Sequence, residues 1–409
     1  MSELIRTLTN PLPLRRCILP TRIIRSATYE GMADANGVPL PALGECYRDI
    51  VRDAPGTIIT GFCAISREGR AMHPGQAGIW DDSHIPSWKA IVTAVRKQSP
   101  ETQLFMQIAH TGRQTIRGMT HLPVKGAGTK KCTYFRQKTS MMTEDDIRRT
   151  IADFAAAALR ARAAGFDGVQ IHAAHGYLIH QFLSSYTNTR SDKFRDTGLF
   201  LEETVKATRK ACGSDFPLLL KISWADDRGL EPGALIPVLQ RVEDELDIVE
   251  VSYGTMEYAL NIIRGGCPID VLLAVNPLFS GIPGPIKALW KRLIYPQKRA
   301  QFKRFARNYN AEGAARLRDA LSVPVIPVGG IRSLEDMQDC LDKGFPAFSL
   351  CRPFIAEPDL TARLARGTWH ASSCTSCNLC TIHCDNTIPL RCHARRTGLS
   401  ASQGEGHEF

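Results

Sequence analysis

Short apolar runs rich in β-formers recur eight times along the 409 residues, and segments with helical start and stop signals lie between them. In order the runs are RIIRSA (22–27), TIITGFCAI (57–65), QLFMQIAH (103–110), DGVQIHAA (167–174), PLLLKISWAD (217–226), DIVEVSYG (247–254), PVIPVGG (324–330) and AFSLCRP (347–353). Strands that are apolar on both faces and alternate with helices form parallel sheets, and eight such units predict a closed (β/α)₈ TIM barrel. The open doubly wound sheet is the alternative, but no GxGxxG turn follows the first run. Two of the linking segments carry clear helix signals. Thr143 caps TEDDIRRTIADFAAAALRARAAG and Ser333 caps SLEDMQDCLDKG, each with acids in the first turn and a glycine after the last.

A barrel gathers its C-terminal strand ends at one mouth, where barrel enzymes keep their chemistry. The polar residues at those ends are therefore the candidates. DGVQIHAAHGYLIHQ places His172, His175 and Tyr177 after the fourth strand. A zinc site would need further ligands that no HExxH helix supplies. Two donors converging on one oxygen fit better: they would polarise a carbonyl, with Tyr177 as proton donor and a satisfied core as the bland alternative. Lys221 interrupts LLLKISW and needs a partner. It is a Schiff-base nucleophile, a fixed charge beside a redox ring, or half of a buried ion pair with Asp226 or Glu250. VGGIRSLED and SLCRPF follow strands seven and eight, the usual phosphate cradle of a barrel, and Arg352 adds a guanidinium fork that a tight glycine turn does not explain. Paired carboxylates at the strand ends occur only near Asp226 and Asp227, which disfavours two-carboxylate hydrolysis.

The net charge of +10 is uneven: between Asp270 and Glu312 there are eight lysines and arginines and no acid. A solvated helical face is the plain reading, and a landing surface for an anionic partner the functional one. No recognition motif accompanies it, so nucleic acid is not an expected partner. The N-terminus lacks a secretory h-region and no run of roughly 18 apolar residues occurs, which predicts a cytoplasmic protein with no membrane partner. Of thirteen cysteines, Cys374, Cys377, Cys380, Cys384 and Cys392 crowd into 19 residues, pointing to a metal cluster in a reducing compartment rather than to disulfides.

Several motifs in the right order, IIRSATYEGMAD, ITGFCAISREGR, QIAHTGRQT, FDGVQIHAAHGYLIHQFLSSYTNTRSD, VPVIPVGGIRSLED and SLCRPFIAEPDL, make residues 10–368 resemble the Old Yellow Enzyme family of FMN-dependent NAD(P)H oxidoreductases. The likeness is greatest to the branch related to bacterial 2,4-dienoyl-CoA reductase. It implies an FMN-binding barrel over 1–368 and a Cys-rich tail over 369–409. Ser26, Ala27, Thr28 and Ala64 would line the flavin, Gln107 would bond its pyrimidine edge, and Lys221 would stand where the family commonly has arginine. Gly329, Gly330, Cys351 and Arg352 would hold the phosphate. His172 and His175 would bind the substrate carbonyl while Tyr177 protonates. The resemblance also implies a [4Fe–4S] cluster on Cys374, Cys377, Cys380 and Cys392, with Cys384 the rival ligand. A structural zinc and an empty site remain open beside it. The expected activity is ping-pong reduction of an unsaturated carbonyl or enoyl compound by NAD(P)H, with homo-oligomerisation compatible. A non-catalytic flavin- or metal-binding interaction protein on the same barrel is the competing class, and a Schiff-base aldolase a third.

Overall fold

The computed structural model describes residues 2–394 apart from 72, 385 and 387. Eight parallel strands form its centre: β1 Ile23–Arg25, β2 Thr57–Ile59, β3 Gln103–Ala109, β4 Gly168–Ala173, β5 Leu218–Ser223, β6 Ile248–Ser252, β7 Val325–Pro327 and β8 Phe348–Leu350. Each pairs with its neighbour in chain order and β8 pairs with β1 through Phe348↔Ile23. A bridge between Val328 and Ser349 joins β7 to β8 and closes the ring. All eight fall within the apolar runs of the sequence. The second run is split: strand pairing stops after Ile59 and resumes at Cys63–Ala64 against Ile108 and Ala109 of β3. The break has a local cause. The backbone N–H of Gly61 donates to the buried Glu30 carboxylate at 3.0 and 3.2 Å, and a Cβ there would lie 2.1 Å from Glu30 Oε2. Arg25, at 2.8 Å, and the Tyr47 hydroxyl complete the neutralisation of that carboxylate.

Helices follow the strands as α1 Pro41–Ile50, α2 Ile85–Gln98, α3 Glu144–Ala163, α4 Leu199–Cys212, α5 Pro232–Gln240, α6 Ala311–Arg318, α7 Leu334–Asp342 and α8 Leu360–Ala365. Both predicted caps form reciprocal boxes. Thr143 with Asp146 starts α3, and Ser333 with Asp336 starts α7. The outward faces of the strands, such as Ile58, Met106, Ile171, Leu220 and Val249, make the main core with these helices.

The inward faces position the site. Ile24, Ile59, Phe105, Leu219, Ile248 and Ile326 form one apolar layer inside the barrel, with Leu19 of an N-terminal hairpin among them. Because strand side chains alternate, the residues two positions further along project into the next layer towards the mouth. That step turns Ile24 into Ser26, Phe105 into Gln107, Leu219 into Lys221 and Ile248 into Glu250. The apolar floor and the polar layer above it follow from one period-two pattern.

Two segments cover the mouth. Between β6 and α6 the chain inserts helices Ala259–Ile263, Ile269–Val275, Gly284–Leu293 and Tyr295–Arg299. Five of the eight basic residues lie on the last two of these, and Gly284–Leu293 also exposes Ile286, Leu289 and Leu293, so this surface is apolar as well as charged. The tail after α8 runs back across α7, where Leu334 N–H donates to His370 O and Ser372 N–H to Arg332 O. A helix at Leu379–Cys384 lies against Ile269–Val275, and Leu390 N–H donates to Glu30 O. Among the described residues no helix is long and apolar enough to cross a membrane.

Candidate active site

A chamber at the C-terminal mouth is lined by Ser26, Ala27, Thr28, Gln107, His172, His175, Tyr177, Lys221, Gly329, Gly330, Cys351 and Arg352. Twelve of the thirteen sequence-derived cofactor and catalytic positions thus converge in one cavity. Ala64 does not join them. It is wholly buried in the ladder beside β3, with its N–H given to Ala77 O, and Phe62 lines the chamber instead.

The inner wall is a single chain of polar contacts. Lys221 Nζ donates to Ser26 Oγ at 2.8 Å and pairs with Glu250 Oε2 at 3.2 Å, the residue beside it in register on β6. The Gln170 amide donates to the same Glu250 oxygen at 2.8 Å, and Gln107 Nε2 donates to Gln170 Oε1 at 2.6 Å. The carboxylate therefore sets the orientation of both amides: Gln170 must accept from Gln107, so Gln107 keeps its own carbonyl oxygen as an acceptor at the chamber wall. Burial pushes the Glu250 carboxyl up, but Lys221 and the hydrogen bonds around it outweigh burial and hold it below its ordinary value. This is the ion pair foreseen as the plain reading of Lys221. An ammonium fixed between a carboxylate and a hydroxyl is a poor imine-forming amine, which removes support from the aldolase alternative.

The histidines follow on β4, where His172 is the in-register neighbour of Lys221. The Ala174 N–H donates to His172 Nδ1 at 3.2 Å, so the proton of the neutral ring resides on Nε2. Burial, then the Lys221 ammonium and His180, hold the His172 pKa well below its ordinary value; burial, His172 and Lys221 do the same to His175. His175 Nε2 lies 2.8 Å from Ser252 Oγ, and its N–H donates to Ser223 Oγ. Its backbone is left-handed at φ 62°, rare for a residue with a Cβ, and Gln114 and Met256 fix its carbonyl. The rings of His172 and His175, and of His172 and Tyr177, are each 5.0 Å apart.

At the cradle, Gly329 and Gly330 have φ of 122° and 82°, and side chains there would strike Tyr309 and the Ala306 carbonyl. Backbone shape alone accounts for both glycines. Arg352 turns from the chamber: it donates to the carbonyls of Ile263 and Arg264 and to Asn378 Oδ1. The arginine that sequence reading passed over is Arg332, in the same VGGIR motif. It lines the chamber beside Gly330, its Nη1 donates to Cys374 O, and its buried Nη2 has no protein partner. Burial, then the nearby Arg352, lower its pKa, and an anion beside Arg332 would relieve that repulsion. A guanidinium with one unpartnered nitrogen, a glycine cradle, an amide acceptor and a lysine together fit FMN, with Arg332 added to the expected phosphate set.

The tail cysteines separate into two places. Cys374, Cys377, Cys380 and Cys392 line one small pocket with Arg352, and left-handed backbone at Ser376 and Asn378 coils the segment around it. Burial chiefly pushes the Cys380 thiol up to about 12. Cys384 instead lines the main chamber, close to Tyr29. The donor type suits a four-thiolate centre. Among the described residues, however, no three His, Cys, Asp or Glu side chains come close enough to hold a metal.

The model of the NADH:flavin oxidoreductase / NADH oxidase family matches residues 7–235. A metal reductase of Desulforamulus reducens is 28% identical over 392 residues, covering 94% of this chain and 53% of the relative. A 4,4'-dithiodibutanoate disulfide reductase of Rhodococcus erythropolis is 24% identical over 90% of this chain and 91% of its own length. An NADPH dehydrogenase of Clostridium acetobutylicum is 34% identical over 49% of this chain and 59% of its own. The chain spans about half the length of the first of these and most of the second. Among solved structures, an old yellow enzyme homologue from Zymomonas mobilis superimposes with a TM-score of 0.68 at 22% identity over 90% of this chain and 95% of that one. A 2-naphthoyl-CoA reductase gives 0.75 at 21% over 98% and 58%, and these two likenesses show the fold.

Two outcomes follow from the geometry. Arg332→Ala should weaken FMN binding by about 1.5–3 kcal/mol, roughly 10- to 150-fold in Kd, the worth of a hydrogen bond to a charged group; an unchanged Kd in a flavin titration contradicts the anion assignment. His73 and His110 are pushed down to about 4 by burial, and His172 and His175 also lie well below the unfolded value near 6.5. Their stabilisation is complete above that value and is lost as pH falls towards 4, because only the unfolded chain takes up protons there. Asp153, pushed up to about 6, opposes this as one group against four. The urea midpoint should therefore drop between pH 7.5 and 5, and a flat profile contradicts the buried neutral rings.

Proposed function

The chain belongs to the NADH:flavin oxidoreductase / NADH oxidase family, and from that premise we propose that it reduces the C=C bond of α,β-unsaturated carbonyl or enoyl compounds with NAD(P)H by a ping-pong route. The acceptor is read from the His172, His175 and Tyr177 arrangement rather than from the relatives, which are named for different activities. Bound FMN would supply the hydride chemistry, taking a hydride from the nicotinamide and delivering it to the alkene.

The protein's own part is electrostatic and positional. His172, neutral and protonated on Nε2, donates to the substrate carbonyl oxygen. His175 can donate from Nδ1 when the Ser252 hydroxyl gives its proton to Nε2, across the 2.8 Å contact between them. Neutral donors stabilise the charge that gathers on that oxygen as hydride arrives at the β carbon, without the reorganisation that water would need. Tyr177 packs against His172 and Phe62 and, on this reading, protonates the α carbon. Lys221 keeps a positive charge at the inner wall beside Gln107, at the expected pyrimidine edge. The observation that carries the reading is the His172 tautomer, since it leaves a donor and not a base facing the chamber. The barrel of 1–368 holds this machinery, and the tail from 369 contributes Thr381, Cys384 and Leu390 to the chamber wall.

His172→Ala should slow alkene-dependent turnover of 2-cyclohexenone by roughly 10²- to 10³-fold, the usual worth of one oxyanion donor. Tyr177→Phe should slow the same half-reaction while anaerobic bleaching by NAD(P)H keeps its rate. Stopped-flow measurement of the two half-reactions separates these effects, and wild-type alkene turnover in both variants contradicts the assigned roles.

A further inference from the structure

The β6–α6 insertion encloses a second cavity of about 940 Å³, at the upper end of the range for small-molecule sites. It is continuous with the reaction chamber: His73, Tyr177, Met256, Ala259, Ile263 and Thr381 line both. Beyond that neck its walls are largely apolar, with Leu272, Leu278, Phe279, Ile286 and Trp290 among them, and the one acid that lines it, Glu257, is paired with Arg113. Its outer rim is basic, carrying Lys298 and Arg136, both on the exposed surface. Of the eight cations between Asp270 and Glu312, Lys287 and Lys298 line the cavity, while Lys291 pairs with Asp270 and Arg307 with Glu335 and Asp336. Ile286 is 56% exposed although it also lines the cavity, so the wall is thin and open to solvent at this point.

We propose that this cavity binds the tail of an anionic amphiphile, a ligand with an apolar chain of about ten or more carbons and a carboxylate-type head at the Lys298 and Arg136 rim. An apolar chain gains about fourfold in affinity for each methylene removed from water, and a cationic rim over an apolar wall selects a charged head at the outer end. The neck at Tyr177 places the inner end of such a chain beside His172. As a statement about substrates this rests on the alkene-reductase reading, and it narrows that reading to unsaturated carbonyl compounds bearing a long apolar body with an anionic terminus. As a statement about binding it stands independently.

The test uses the flavin-loaded protein and displacement of 1-anilinonaphthalene-8-sulfonate, followed by fluorescence. Dodecanoate should displace the dye at least 100-fold more effectively than butanoate, because it carries about eight more methylenes and burial of only four of them at about fourfold each gives roughly 250-fold. Ile286→Trp, on an exposed helix and outside the catalytic machinery, should weaken dodecanoate at least tenfold and leave 2-cyclohexenone turnover unchanged. Lys298→Glu should weaken dodecanoate at least fivefold but leave neutral dodecan-1-ol as it was. No dye uptake, affinity independent of chain length, or an Ile286→Trp variant that binds dodecanoate normally overturns the proposal, and an equal loss for the alcohol overturns its anionic half. Chain-length dependence in a protein that fails to reduce 2-cyclohexenone supports the binding site and counts against the reductase reading alone.

Discussion

Lys221 and Glu250 face each other on adjacent strands inside the barrel, and much of the mouth is arranged around that ion pair. Placing two charges out of water is costly, and the cost is offset only where hydrogen bonds satisfy what the pair leaves over. Here Ser26 accepts from the ammonium and Gln170 donates to the carboxylate, which in turn orients Gln107. The Lys221 charge also acts across the sheet on His172 and His175, where it adds to burial in keeping both rings neutral. One buried pair thus contributes to an amide acceptor on one wall and to neutral imidazole donors on another.

The barrel was legible because its signal is repeated. Eight apolar runs separated by capped helices leave few architectures, and period-two alternation carries each strand from an apolar floor to a polar layer. The split in the second strand was less legible, because it depends on Glu30, which reaches Gly61 from more than thirty residues away and has no pattern of its own. Among site residues, His172, His175 and Tyr177 could be read from a local motif at a strand end. Arg332 could not be separated from any surface arginine by spacing. Only the absence of a partner for its Nη2, beside Arg352, marks it out, and that absence is a property of three-dimensional packing. Arg352, the arginine with the stronger sequence signal, is occupied by Asn378 and two carbonyls of the insertion.

The insertion and the tail, the least patterned parts of the sequence, meet over the mouth. Asn378 is the joint: its side chain accepts from Arg352 and donates to Gly266 O in the insertion. The cysteine pocket on one side of Arg352 and the reaction chamber on the other therefore share a wall. The basic stretch, plain in composition, gains its meaning from the apolar cavity behind it, which no linear pattern announces.

The roles proposed for the mouth depend most directly on a flavin held in the chamber and reducible by nicotinamide. The measurement that tests it is the absorption spectrum of the purified protein before and after anaerobic addition of NADH and then NADPH. Flavin bands that bleach with either nucleotide, and return on adding 2-cyclohexenone, are the predicted result. A colourless protein that takes up no added FMN would contradict the central claim, and would leave a barrel that binds partners rather than one that reduces them.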